Sequence, residues 1–182
     1  MRAASLGVSY HTVDRYVDIL EQAFLIRKLR PYANLGKRLV KSPKLYFRDS
    51  GLLHYFLGIR SASALETHPA RGASFEAFLV DQLVSAYSRI DPLSRFWFWR
   101  TAQGDEVDLL IESASRLVPF EVKLHSTPGP DEARSLRRCM QDLKLSRGYI
   151  VHPGEQRYSL GHGVAAVPAA MLLASPARLG RL

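Results

Sequence analysis

Glu106-Val-Asp-Leu-Leu-Ile-Glu112 and Leu117-Val-Pro-Phe-Glu-Val-Lys-Leu124 are two alternating, β-branched segments separated by the short turn Ser113-Ala-Ser115. That pattern predicts an antiparallel hairpin. Alternation sets Val107, Leu109 and Ile111 on one face of the first strand and Asp108 on the other. On the second strand Phe120, Val122 and Leu124 share a face, and Glu121 and Lys123 share the opposite one. A turn this short brings Asp108 near Glu121 and Lys123.

The flanking segments extend the pattern. Arg95-Phe-Trp-Phe-Trp-Arg100 reads as a preceding strand closed by the turn Gln103-Gly-Asp105. Its Trp97 and Trp99 project to one face and Phe96 and Phe98 to the other, which favours core packing over base stacking. Before it, residues 75–88 predict a helix with Leu79, Val80, Leu83 and Tyr87 on one face. Glu76 falls in the middle of that apolar face, where an ionised carboxylate requires a cation, a metal or a hydrogen-bond donor. After the hairpin come an amphipathic helix over 131–143, a buried-type strand at 148–151, a short strand near 164–167 and a helix over 169–174. Gly161-His-Gly163 reads as a turn. The order helix–strand–strand–strand–helix–strand predicts an α/β (α+β) core with a mixed sheet and right-handed crossovers.

The first 60 residues form a different pattern. Val13, Tyr16, Val17, Leu20 and Phe24 give one apolar helix face, with Ser9 as N-cap. Ala3 to Gly7 reads as the end of a shorter helix. Strands at 24–30 and 44–47 flank a basic loop over 31–43, and Asp49 caps a helix ending at Gly58. Together these predict a winged helix-turn-helix over 1–60. The small, polar segment 61–73 reads as a linker, and 74–182 as the second domain. No internal repeat and no low-complexity tract is present.

Charge separates the same halves. The chain of 182 residues has a net charge of +8, and 11 of its 25 Lys+Arg against 4 of its 17 acidic residues lie in the first 60 positions. Such an excess suggests a polyanionic partner. Tyr10, His11, Thr12 and Arg15, at the start of the recognition-type helix, are the candidates for a DNA groove, and Lys37, Arg38 and Lys41 in the loop for phosphates. The alternative is a winged helix used only for packing against a neighbouring domain, which Asp14 and Asp18 on the same helix favour.

Several classes are excluded or disfavoured. One cysteine, Cys139, forbids a disulfide scaffold and fits a reducing cytoplasm. The longest apolar run, 164–174, is too short to span a membrane and contains Pro168, so no membrane partner is expected. His11, His54, His68, His125, His152 and His162 lack paired zinc spacing, and no Gly-x-Ser-x-Gly of a serine hydrolase occurs. What remains is the acid set. Asp108 and Glu121, on stiff strands, suit Mg²⁺ (or Mn²⁺) that keeps waters and takes phosphate oxygens. Lys123 is placed to orient a water or stabilise phosphorane charge, and Glu76 to complete the site. The bland reading of the same residues is a Glu–Lys ion pair beside a satisfied strand Asp.

Glu76, Asp108 and Glu121-Val-Lys123, in that order over helix and hairpin, resemble the restriction-endonuclease-like fold of PD-(D/E)xK nucleases. The resemblance implies that the two strand acids bind divalent metal, that Lys123 aids the attack and that Glu76 supports the site. More closely, residues 16–21, 39–53, 72–76, 104–108 and 120–123 resemble the C-terminal part of prokaryotic AAA-type ATPases, a domain of unknown function. That likeness implies an ATPase domain upstream, although no Gly-x-x-x-x-Gly-Lys-Ser/Thr occurs in this chain, so no ATPase activity is expected of it. The missing first helix suggests a piece of a longer product, and Pro119 stands where the nuclease pattern places a carboxylate. Two functions compete: a cytoplasmic, DNA-binding protein with a Mg²⁺-dependent nuclease-like site, and a catalytically inactive accessory module that binds DNA or a protein. Homo-oligomerisation is open in both.

Overall fold

The computed structural model describes residues 7–32, 42–114 and 116–176. In chain order these form helix α1 (Tyr10–Gln22), strands β1 (Ile26–Pro31) and β2 (Lys44–Phe47), and helices α2 (Ser50–Phe56), α3 (Ala62–Thr67) and α4 (Arg71–Ile90). Strands β3 (Arg95–Arg100), β4 (Glu106–Ser113) and β5 (Arg116–Val122) follow. A 3-10 turn (Pro130–Ala133) then leads into α5 (Arg134–Asp142), β6 (Gly148–His152), β7 (Tyr158–Gly161), β8 (Val164–Pro168) and α6 (Ala169–Ala174).

All eight strands join one mixed sheet, in the order β2-β1-β3-β4-β5-β6-β8-β7. The β3–β4–β5 meander is antiparallel, whereas β5–β6 and β6–β8 are parallel; α5 lies in the first of these connections and β7 in the second. The mixed α/β class expected from the sequence is therefore present. The β1–β2 hairpin is not set apart from that sheet: β1 pairs in parallel with β3 through Arg30↔Trp97 and Pro31↔Phe98.

Two apolar layers sandwich the sheet. On one side α4 and α6 pack Leu79, Val80, Leu83 and Leu172 against Leu29, Phe98, Leu109, Ile111 and Phe120. On the other, α5 packs Leu136, Cys139 and Met140 against Trp99, Val107, Leu110 and Ile150. Phe98 and Trp99 thus occupy opposite faces of β3, and both are buried, so the aromatic run is core.

One face assignment differs from simple alternation. Trp97 pairs with Leu110 and Trp99 with Val107, so three steps along β4 oppose two along β3. This bulge changes the phase of β4 at Asp108. Val107 joins the α5 side, while Leu109 and Ile111 join the α4 side. The extra residue lets Asp108 turn its carboxylate toward the elements beyond the edge of the hairpin.

The first helix also departs from expectation. Ser9 caps α1, accepting from the Thr12 amide at 3.2 Å, but of the expected apolar face only Val17 is buried. Tyr16 and Leu20 are exposed, and Phe24 lies beyond the helix with φ +58° and an exposed ring. The expected short helix at 3–6 lies outside the described residues. The expected linker holds a helix of its own, α3, because Ser61 caps a run of good helix formers and accepts from the Ala64 amide at 3.1 Å.

Candidate functional site: an acid cluster closed by lysine

Glu76, Glu106 and Asp108 converge on one ammonium, that of Lys44. Its Nζ lies 2.9 Å from Glu76 Oε1 and 2.9 Å from Asp108 Oδ1, and it also pairs with Glu106 Oε1. Three elements meet here: α4 carries Glu76, β4 carries Glu106 and Asp108, and β2 delivers Lys44 with Tyr46 two residues on. The Tyr46 hydroxyl donates to Glu76 Oε1 at 2.7 Å. The carboxylate on the apolar face of α4 thus has the cation and the donor that its burial demands. The rings of Tyr46 and Phe98 each lie 5.8 Å from the same ammonium.

Asp108 also reaches across the hairpin, accepting from the Val122 amide at Oδ2 over 2.9 Å. Next to it on β5, Glu121 accepts from Lys123 Nζ at Oε1 over 2.9 Å. Glu121 Oε2 is buried without a hydrogen-bond partner among the described residues. The sequence-predicted set is therefore brought together in two linked halves, Glu76–Lys44–Asp108 and Glu121–Lys123.

Electrostatics follow from burial and mutual repulsion. Burial, reinforced by Asp108 and only partly offset by Lys123, pushes the Glu121 carboxyl up to about 8. Burial and the Asp108 charge likewise hold Glu76 above the usual carboxylate range, against the pull of Lys44 and Tyr46. Burial alone would lower the Lys44 ammonium, but the charges of Asp108 and Glu76 more than reverse it. Lys123 is raised in the same way by Glu121. The arrangement is a store of like charge held by two lysines.

Does this donor set fit a divalent cation? Among the described residues no three His, Cys, Asp or Glu side chains stand ready as a metal cage, because Lys44 occupies the space between the acids. Mg²⁺, however, is commonly held by one or two carboxylates plus waters and phosphate oxygens. Asp108 and Glu121 provide two hard carboxylates, and the orphaned Glu121 Oε2 is a buried oxygen lacking what a cation would give it. The residues fit.

Lys44, Tyr46 and Glu106 were missed in the sequence. Their only signal was Lys44-x-Tyr46 on one strand, a cation two residues from a hydroxyl, and Glu106-x-Asp108 on another, two acids at the same spacing. His125 borders the site but is tied to Glu132, at 2.6 Å.

The candidate nucleic-acid residues stand elsewhere. Tyr10, His11 and Arg15 are exposed at the start of α1, while the Thr12 hydroxyl is engaged with Ser9 at 2.9 Å. Lys37, Arg38 and Lys41 lie outside the described residues. Four of the eight bases between Gln22 and Arg48 are spent internally. Arg27 binds Asp81 at 2.7 Å, Arg48 approaches the same carboxylate at 3.4 Å, Lys28 pairs with Asp18, and Lys44 holds the acid cluster.

Fold and site define a mixed α/β domain with a buried acid–lysine cluster at the joint between a helix, a hairpin and the central meander. The chain belongs to the family DUF4143, a domain of unknown function, whose pattern matches residues 71–172. Residues 2–63 match a second domain of unknown function, DUF8612. Over 172 residues the chain is 46% identical to uncharacterized proteins of Mycobacterium bovis and Mycobacterium tuberculosis, covering 94% of this chain and 38% of each relative. An uncharacterized protein of Haemophilus influenzae is 39% identical over 56 residues, 30% of this chain and 14% of that protein. The chain thus spans about two fifths of the length of the mycobacterial relatives. No solved structure matches it. No helix among the described residues is long and apolar enough to cross a membrane.

Proposed function

We propose that this chain is the nuclease-like part of a longer cytoplasmic AAA-type ATPase, with a winged helix-turn-helix that binds DNA and a restriction-endonuclease-like site that hydrolyses phosphodiesters. The observation that carries the reading is that Glu76 and Asp108, joined through Lys44, are linked to the neighbouring Glu121–Lys123 pair where Asp108 accepts from the Val122 amide. Asp108 and Glu121 would hold Mg²⁺ or Mn²⁺, which supplies Lewis-acid stabilisation of phosphate charge. The Val122 amide fixes one oxygen of Asp108, and Lys123 orients Glu121. Glu121 retains a proton into the neutral range, so a cation must displace it. Once Glu121 is engaged elsewhere, the Lys123 ammonium is free to meet the charge that develops on the phosphate.

A second reading has one observation in its favour. The Lys44 ammonium stands between Glu76 and Asp108 and neutralises them without a metal. On that reading the domain is a catalytically inactive accessory module. Calorimetric titration of the chain with Mg²⁺ and Mn²⁺, paired with a supercoiled-plasmid nicking assay, separates the two. Saturable binding and nicking, both lost in Asp108→Asn, support the nuclease; neither binding nor nicking leaves the accessory module.

A further inference from the structure

At the far edge of the sheet from the acid cluster, β6, β8 and β7 lie side by side. Tyr149 of β6 and Ala165 of β8 are in register and belong to the layer on the α4 side, and Ser159 of β7 is in register with Ala165. Arg147, Arg157 and Gly163 stand just before β6, β7 and β8 and line the same cleft. The centre strand and the turn before it bring Gly163, Val164 and Ala165 to the cleft, and an arginine stands before each outer strand. The result is a cleft of about 580 Å³ with Arg147, Tyr149, Arg157, Ser159, Gly163 and Ala165 in its walls.

Its chemistry is one-sided. Arg147 and Arg157 are exposed and pair with no carboxylate among the described residues, unlike Arg27, Arg48, Arg100 and Arg138. Both nonetheless line the same cleft as Tyr149, and against the burial that raises the Tyr149 hydroxyl both guanidinium charges pull it down. Tyr149 is only 4% exposed as a residue, yet its hydroxyl oxygen keeps access to solvent in the cleft. Two like charges at one cleft without a counter-ion, beside an accessible hydroxyl, make a local positive potential that attracts an anion.

The cleft mouth is also fixed by the backbone. Gly163 has φ +76°, and a Cβ there would fall 2.2 Å from the Ser146 carbonyl oxygen. Only glycine lets the segment carrying Ser146 and Arg147 lie against β8, where the Gly148 amide donates to the Gly163 carbonyl at 3.1 Å.

We propose that this cleft is a phosphate-binding site, with Arg147 and Arg157 as the charged clamp and Tyr149 and Ser159 as neutral hydroxyl partners. Guanidinium groups match the planar spacing of phosphate oxygens, and the small floor of Gly163 and Ala165 leaves room for the tetrahedral group. The phosphate is either free or carried in a polynucleotide backbone, and the site acts independently of the acid cluster.

Calorimetric titration of the whole chain with inorganic phosphate tests this, followed by competition with a short single-stranded oligonucleotide lacking terminal phosphates. Saturable phosphate binding is expected, weakened about tenfold or more by Arg147→Gln or by Arg157→Gln. Ala165→Leu, which fills the floor, should weaken it as well, and thermal unfolding checks that each variant is folded. Displacement of phosphate by the oligonucleotide assigns the backbone as source, and no displacement assigns the free ion; both support the site. Absence of phosphate binding overturns the proposal, as does affinity indifferent to both arginine changes. A loss of phosphate binding in Asp108→Asn would also overturn it, by moving the binding to the acid cluster, whereas unchanged binding there holds even if the nuclease reading fails.

Discussion

Lys44 Nζ lies 2.9 Å from Asp108 Oδ1, although 64 positions separate the two residues. Lys44 comes from the β1–β2 hairpin and Asp108 from the bulge of β4. This ion pair joins the apolar contacts of Leu29 and Tyr46 in tying the edge of the sheet to the candidate site. In the nuclease reading an external cation would compete with the protein's own ammonium for these acids.

Replacing the ammonium by an apolar chain of similar length tests the tie directly. Lys44→Met leaves Glu76, Glu106 and Asp108 without their shared partner and should lower the unfolding free energy by about 3 kcal/mol, read by urea denaturation. In the nuclease reading millimolar Mg²⁺ restores much of that loss and raises the Tm of the variant more than that of the native chain. Equal shifts in both would show that Lys44 does not compete with the cation.

Glu121 sets a pH dependence. Its folded pKa of about 8 lies above the ordinary 4.5, so between those values the folded state binds more protons than the unfolded one. Stability from this group is therefore present below about pH 4.5 and is lost as pH rises toward 8. Glu121→Gln should flatten that decline and be more stable than the native chain at the alkaline end, in denaturation curves taken across the range. Because a cation must displace the proton, Mg²⁺ affinity of the native chain should rise over the same window.

Asp81 is a structural test outside the site. It is buried on α4 and binds Arg27 of β1 at 2.7 Å, with Arg48 at 3.4 Å. Asp81→Ala removes the partner of two cations at once and should cost about 3 kcal/mol. Hydrogen exchange should then quicken in β1 and β2 ahead of β6 and β8, since the hairpin is the element so anchored.

Arg15 tests the winged helix. It is exposed on α1, whereas Asp18 on the same helix is engaged by Lys28. Arg15→Gln should weaken binding of duplex DNA severalfold and reduce the salt slope by about 1, measured by fluorescence anisotropy at several ionic strengths. An unchanged slope would move the surface of α1 from nucleic acid to protein contact, in keeping with the exposed rings of Tyr16 and Phe24.

Local pattern by itself determined much of this protein. Period-2 runs marked β3, the β4–β5 hairpin, β6 and β8, because each strand alternates or is buried on both faces within a few residues. Cap residues at Ser9 and Asp49 marked two helix starts, both present. The acid on the apolar face of α4 announced that a cation must meet it, and the Glu-x-Lys pair on β5 announced its own ion pair.

Only the tertiary structure decided which cation meets Glu76. That depends on β1 pairing with β3, a contact between distant segments that no local periodicity encodes, and on a bulge that shifts Asp108 by one step of the pleat. The basic run between Gln22 and Arg48 looked like a surface for a polyanion, yet half of it is matched by the chain's own acids. Charge along a sequence is fixed by composition, but which charges reach solvent is fixed by the partners that folding places beside them.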